Sequence, residues 1–316
     1  MKRLSMTLAA LVALAGTAQA QYYQKYEPLK EGNAWTYQNQ KWGVDATMKV
    51  AWSYYGMHYV EGFFGDGQWL AWSGNTLYCW NATAYEWQPL FRFGAPTGTK
   101  YTVNFDFLEN VTVVVETKSA IFEDTVIHQK FYNCVRFGFQ YNTPIFDAGL
   151  MSMTFAPNVG LVETSSQSIA GPVQVVLKYA SVNGKEVGLI GSAGLEKGSM
   201  SQYPLTGTNK AIVINSQPAW EAFYAKHKPG ETAPAVNFAK QTVVAVLAGV
   251  RPTSGYVVWV DLVRWNFPYS GAKVFVMESQ PTTIPVLQVL TSPFEIVVLD
   301  RKVYSVTVNW KVVAGP

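Results

Sequence analysis

Apolar and polar residues alternate with a period of two through most of this chain, in short runs broken by Gly, Asn, Pro and Ser. Such alternation predicts half-buried β-strands. In the first half the candidate strands are 47–54, 57–63, 68–73, 76–80, 111–117, 131–140, 150–155, 159–164 and 173–181. Gly65-Asp66-Gly67, Ser73-Gly74-Asn75, Pro157-Asn158 and Asn183-Gly184 mark turns between them. Many strands at short spacing predict an antiparallel barrel or strongly curved sheet.

The alternation lapses between Leu189 and Ser201, where Gly and Ser cluster. This segment reads as a linker over 188–209. Beyond it, Ile212-Val213-Ile214 predicts a short strand. The period then changes to that of a helix over 216–227, with Pro218 in the first turn, Glu221 set against the positive helix start, and Trp220, Phe223 and Tyr224 on one face. Next come Thr242–Leu247, a Pro- and Gly-punctuated turn at Arg251–Tyr256, and Val257–Val260, which together read as a hairpin. Further candidate strands are 272–278, 286–290, 294–299 and 303–312, with Pro281, Pro285 and Pro293 in connections or on sheet edges. The fold class is therefore mainly β. A curved antiparallel sheet or barrel over 22–187 precedes a small β-sandwich-like domain with one short helix over 210–316.

Composition adds location. Residues 1–20 carry a basic start (Lys2, Arg3), an apolar run from Leu8 to Leu14 and an Ala18-Gln19-Ala20 end. That is the pattern of a secretory signal peptide, too short to span a bilayer. The protein is expected to be exported to the periplasm, the cell surface or the medium, with no transmembrane span. Two of the 24 Lys and Arg lie in this leader, and 21 Asp and Glu balance the rest almost completely. A near-neutral chain has no electrostatic footprint for nucleic acid. The two cysteines, Cys79 and Cys134, are expected to pair as a disulfide in an oxidising compartment. Exposed β edges make an oligomer a further expectation.

Candidate chemistry is sparse. Neither H-E-x-x-H nor G-x-S-x-G occurs, and none of His58, His128 and His227 has an acid and a serine beside it in sequence. His58 and His128 are weak candidates for a copper or zinc pair, but no ligand spacing accompanies them. Glu116 and Glu123-Asp124 could make an acid pair, but the favoured reading is of solvated carboxylates. The expectation is a non-enzyme with no cofactor. Seven tryptophans fall between Trp35 and Trp87. A structural use, filling the inside of a barrel or covering its girdle, is the favoured reading, because β cores use aromatics heavily. A glycan-stacking surface is the alternative, distinguished by tryptophans confined to one exposed face. The candidate partner-binding residues are Arg251, Pro252, Thr253, Ser254, Gly255 and Tyr256, a turn with one cation and one aromatic. Pro252 and Gly255 also account for it simply as a turn.

Several pieces of the second half carry a resemblance. The Trp220 helix, Val236–Lys240, Val244–Gly249, Arg251–Tyr256 and Thr291–Val298 follow in the order seen in the C-terminal domain of the PrcB family, named for a subunit of a bacterial surface protease complex. The resemblance implies a non-catalytic accessory domain that docks a protein partner in the cell envelope. Asn237 departs from it, standing where an acidic residue is usual. The Arg251–Tyr256 turn is also similar to the "N-P-T-T-G-Y" loop of chagasin-type protease inhibitors, with Arg251 in place of the Asn. In the first half, Tyr26–Tyr37 resembles the "Y-x-P-L-x-x-G-N-x-W-x-Y" start of exported bacterial β-rich modules of unknown role, and Phe155–Val162 resembles the segment that closes them. Docking protein, protease inhibitor, glycan-binding module and, last, metal-dependent redox protein all stay open.

Overall fold

A computed structural model describes residues 22–142, 149–205, 209–282 and 286–315. The expected leader lies outside the described residues. The chain divides into two compact units between Gly188 and Leu189. Among the described residues no helix is long and apolar enough to cross a membrane.

The first unit is one curved sheet. Its strands are β1 (Ala34–Asn39), β2 (Asp45–Tyr54), β3 (Met57–Glu61), β4 (Gln68–Ser73), β5 (Thr76–Asn81), β6 (Glu86–Arg92), β7 (Lys100–Phe105), β8 (Leu108–Asp124), β9 (Gln129–Tyr141), β10 (Gly149–Ala156), β11 (Gly160–Ser168), β12 (Gly171–Val182) and β13 (Lys185–Gly188). They run in the order β6-β5-β4-β3-β2-β1-β12-β11-β10-β9-β8-β7, with β13 also on β12. The strands at the two ends of that order, β6 and β7, are bridged by side chains. The Tyr101 hydroxyl donates to the Leu90 carbonyl at 3.0 Å and accepts the Arg92 N–H at 3.1 Å. Asn81 Nδ2 donates to the Asn104 carbonyl at 2.8 Å. The sheet is thereby a nearly closed barrel.

Its interior is packed, not hollow. Phe91 lies 4.8 Å from Phe137 and 5.1 Å from Phe155 between ring centroids, and Phe93 lies 5.1 Å from Phe137. Leu70, Leu77, Leu90 and Leu177 fill the same buried interior. Fully burying each such side chain contributes about 1.5–3 kcal/mol. Strands β6 and β7 were not expected from the pattern. Pro89 argues against a strand, and the structure accommodates it on an end strand, beside a register shift between Leu77 and Tyr78.

The second unit holds β14 (Ser192–Gly198), β15 (Lys210–Ile214), helix α1 (Gln217–His227), β16 (Thr242–Leu247), β17 (Val257–Trp265), β18 (Ala272–Gln280), β19 (Phe294–Leu299) and β20 (Val306–Ala314). One sheet has the order β14-β19-β16-β15, the other β17-β18-β20. Strand β16 is buried on both faces. Val244 and Val246 join Val258, Val263, Val274 and Val276 between the sheets. Val243, Ala245 and Leu247 pack on Trp220, Phe223 and Tyr224 of α1. The layers are helix, four-stranded sheet, three-stranded sheet.

Four expectations change here. Strand β14 lies inside the segment read as a linker, because it has a ladder partner in β19. Residues 242–247 and 257–260 do not form a hairpin: β16 has β15 and β19 on its two sides, so β17 pairs with β18 in the other sheet. Residues 286–290 are not a strand, and Glu221 lies beyond the first turn of α1, where Gln217 donates to it at 2.8 Å.

Candidate functional site

The turn from Arg251 to Tyr256 carries the chain from one sheet of the second unit to the other. Arg251 is committed inward. Its Nε and Nη2 donate to the two carboxylate oxygens of Glu278 at 2.6 and 3.0 Å. Glu278 is 1% exposed and also accepts the Trp310 indole N–H at 2.9 Å. A bidentate pair on a buried carboxylate is a fixed structural element. Tyr256 is half-buried, with the Arg251 guanidinium 5.9 Å from its ring centroid. Pro252 and Gly255 are exposed, and Thr253 and Ser254 are half-buried.

The turn is tied to residues 286–293. Arg251 and Thr291 exchange both backbone hydrogen bonds, at 2.7 and 3.0 Å. The Thr291 hydroxyl donates to the Thr253 carbonyl at 3.0 Å. Ser254 N–H donates to the Leu287 carbonyl at 3.0 Å, and the Ser254 hydroxyl accepts the Leu287 N–H at the same distance. Gly255 has φ +89°, and a Cβ there would meet Pro281 at 3.1 Å. The two loops are therefore one ordered body. What they present outward is aliphatic: Val250 is 59% exposed, Leu287 73% and Leu290 65%, with Val257 and Val289 beside them. In the sequence the cation and aromatic of the turn stand out, and these side chains do not. An exposed Val or Leu is unremarkable singly, and only the pairing of the loops groups them.

The tryptophans divide between the two faces of the barrel sheet. Trp35 is buried, but Trp52 pairs across strands with Tyr59, Tyr59 with Trp69, and Trp80 with Trp87. The Leu70–Cys79 pairing sets Trp69 opposite Trp80 one position on. Since Val60, Leu70 and Cys79 point inward, this row crosses β2 to β6 on the outer face. Ring centroids lie 5.1 Å apart for Trp52–Tyr59, 5.4 Å for Tyr59–Trp69 and 5.7 Å for Trp80–Trp87. Trp72 shares the inward face of β4 with Leu70, and its ring lies 5.2 Å from that of buried Phe93, so it joins Trp35 and Tyr37 among inner positions otherwise taken mainly by aliphatics and phenylalanines.

Cys79 and Cys134 are free buried thiols, not a disulfide. They sit on β5 and β9, which are not neighbours in the sheet. Burial pushes Cys79 up to about 12 and Cys134 up to about 11. His58 Nδ1 is 2.8 Å from the Ser53 hydroxyl, and His128 is exposed on the β8–β9 turn. Among the described residues no group of three or more His, Cys, Asp or Glu is placed to hold a metal ion. The acids are dispersed: Glu116 pairs with Arg136 at 3.0 Å and Glu123 with Lys130 at 3.0 Å. Asp124 is buried rather than solvated, because it accepts the Val126 and Ile127 N–H groups of the turn.

One constellation was invisible in the sequence. The Ser201 hydroxyl is 2.8 Å from His227 Nδ1, and Glu196 Oε1 lies 3.7 Å from His227 Nε2. Glu196 is held by Lys228 at 2.5 Å and by the Tyr224 hydroxyl at 3.0 Å. A spacing of 3.7 Å is not a hydrogen bond. His227 is wholly buried, with its ring 4.3 Å from that of Phe294, and burial lowers its pKa. The geometry fits an anchor of the α1 C-terminus to the segment after β14, to which the His227 carbonyl also bonds through Gln202 N–H.

Residues 242–300 match the family model described as PrcB C-terminal. The match runs from β16 through the 251–256 turn, β17, β18 and the 286–293 loop to β19. The Trp220 helix and Asn237 precede it. No curated protein matches the chain.

Proposed function

We propose that this is an exported, non-catalytic accessory protein whose C-terminal unit docks a protein partner in the bacterial cell envelope. The partner class that the PrcB resemblance favours is a surface protease complex. The observation that carries this reading is the aliphatic rim of Val250, Val257, Leu287, Val289 and Leu290, presented by two mutually bonded loops inside the matched segment. Loops ordered beforehand lose little conformational entropy on association. Arg251 supports the frame, since its guanidinium is taken up by Glu278. In the test, the mature full chain is used to capture partners from envelope extract beside a Leu287→Asp, Leu290→Asp variant. A protease-complex component lost in the variant supports the reading. Equal capture by both proteins removes the rim from it.

The outer aromatic row favours a second reading, glycan binding by the first unit. Flat indole faces at successive cross-strand positions suit the apolar faces of sugar rings, and Trp52 is 56% exposed. A co-sedimentation assay with insoluble polysaccharide tests it. Trp52→Ala with Trp87→Ala abolishes retention if the row is the platform, and unchanged retention rejects it.

A further inference from the structure

The first unit's barrel has a mouth partly covered by the residues before β1. Gln24 to Lys30 run across it, against the β2–β3, β10–β11 and β12–β13 turns. A cavity of about 480 Å³ remains there, lined by Lys25, Lys30, His58, Trp72, Asn158 and Asn183 among others. Its volume falls within the roughly 300–1,000 Å³ of ligand sites, and barrel mouths are a preferred place for them.

The lining is polarised. It includes two lysines and three side-chain amides, those of Gln24, Asn158 and Asn183, and no Asp or Glu. Neither Lys25 nor Lys30 makes an ion pair among the described residues. Lys25 Nζ sits 3.6 Å from the Tyr22 ring centroid, which orients the ammonium without neutralising it. Glu31, next in sequence to Lys30, accepts the Ser53 N–H at 3.2 Å and is not part of the lining. The apolar wall is fixed too: the Trp72 indole donates to the Glu27 carbonyl at 2.9 Å, and Leu29 lies beside it. Two unneutralised ammonium groups in a concave site focus positive potential on it.

We infer that this mouth binds a small organic anion, a carboxylate or phosphate on a flat apolar body. The acid group meets Lys25 and Lys30, the amides of Asn158 and Asn183 orient it, and the body lies against Trp72. This site is independent of the docking rim in the other unit.

Titration calorimetry on the mature full chain tests it, with phenyl phosphate, benzoate and benzyl alcohol as probes. The expected result is saturable, salt-sensitive binding of at least one anion, about tenfold or more tighter than benzyl alcohol. Which anion wins separates phosphate from carboxylate chemistry. Lys25→Ala with Lys30→Ala should weaken binding at least about tenfold while the melting temperature stays put, since neither lysine is buried. Equal binding of the alcohol, unaltered binding in the double variant, or no heat with either anion at millimolar concentration would overturn the proposal.

Discussion

The Trp35 indole N–H donates to the Val159 carbonyl over 2.6 Å, joining positions 124 residues apart in the buried interior of the first unit. Around that bond the two motif-bearing segments interlock. The Tyr37 hydroxyl donates to the Leu161 carbonyl at 3.1 Å, and Asn158 N–H donates to the Lys25 carbonyl at 2.6 Å. Gly160 has φ +102°, and a Cβ there would stand 3.2 Å from Trp35 Nε1 and 3.3 Å from Glu27 Oε2. The tryptophan, tyrosine and glycine of the two motifs are thus parts of one joint. Trp35→Phe should cost about 1–3 kcal/mol by leaving a buried carbonyl unpaired. Gly160→Ala should also destabilise, through both its backbone and its neighbours. Urea unfolding of the two variants checks this.

Glu27 makes stability pH-dependent. Burial pushes its carboxyl up to about 8, against a smaller downward pull from the Leu161 backbone. The unfolded chain ionises this group near its ordinary value of 4.5, while the folded chain keeps it protonated until about pH 8. Over that window the folded state binds the extra proton, so stability declines as pH rises, by up to about 1.4 kcal/mol per unit. Asp124, raised by burial to about 6, acts in the same direction over a narrower range. Unfolding midpoints at pH 5 and pH 8 should differ in the native chain and differ less in Glu27→Gln.

Arg251 should behave as a structural residue. Arg251→Ala strands the buried Glu278 carboxylate with the Trp310 N–H, a loss of about 3–5 kcal/mol. Leu287→Asp, at an exposed position, should change stability by about 0.5 kcal/mol or less. Thermal unfolding of both variants distinguishes these magnitudes. Loss of docking in an Arg251 variant would therefore report on the frame as much as on the contact.

The thiols give a further prediction. Cys79 and Cys134 are buried, and their raised pKa values keep them protonated. A thiol reagent should find neither in the native protein and both in the unfolded, unreduced protein. A reductant should leave the unfolding midpoint unchanged.

Much of the β architecture was legible because alternation at period two survives in single strands. What alternation does not encode is parity and partnership. Trp52, Trp69, Trp80 and Trp87 recur at strand spacing whether they face in or out, and the inward set is decided by Val60, Leu70 and Cys79 beside them. The Pro and Gly of the 251–256 turn announce a reversal, but not that the next strand joins another sheet. Pro89 hid β6, because only its place at an end of the sheet tolerates it. The Arg251–Glu278 pair and the two-loop rim depend on contacts 27 or more residues apart, which no local pattern signals.

The rim of the C-terminal unit is tested most directly by site-specific photo-crosslinking. A photoreactive amino acid is placed at Leu290 or, as a control, at Tyr304, which is exposed in the same unit but outside the matched segment. Each full-length protein is irradiated in envelope extract, and the adducts are identified by mass spectrometry. A protease-complex component attached at Leu290 and absent at Tyr304 is the expected result. Attachment at Tyr304 alone, or equally at both positions, or at neither, would contradict it.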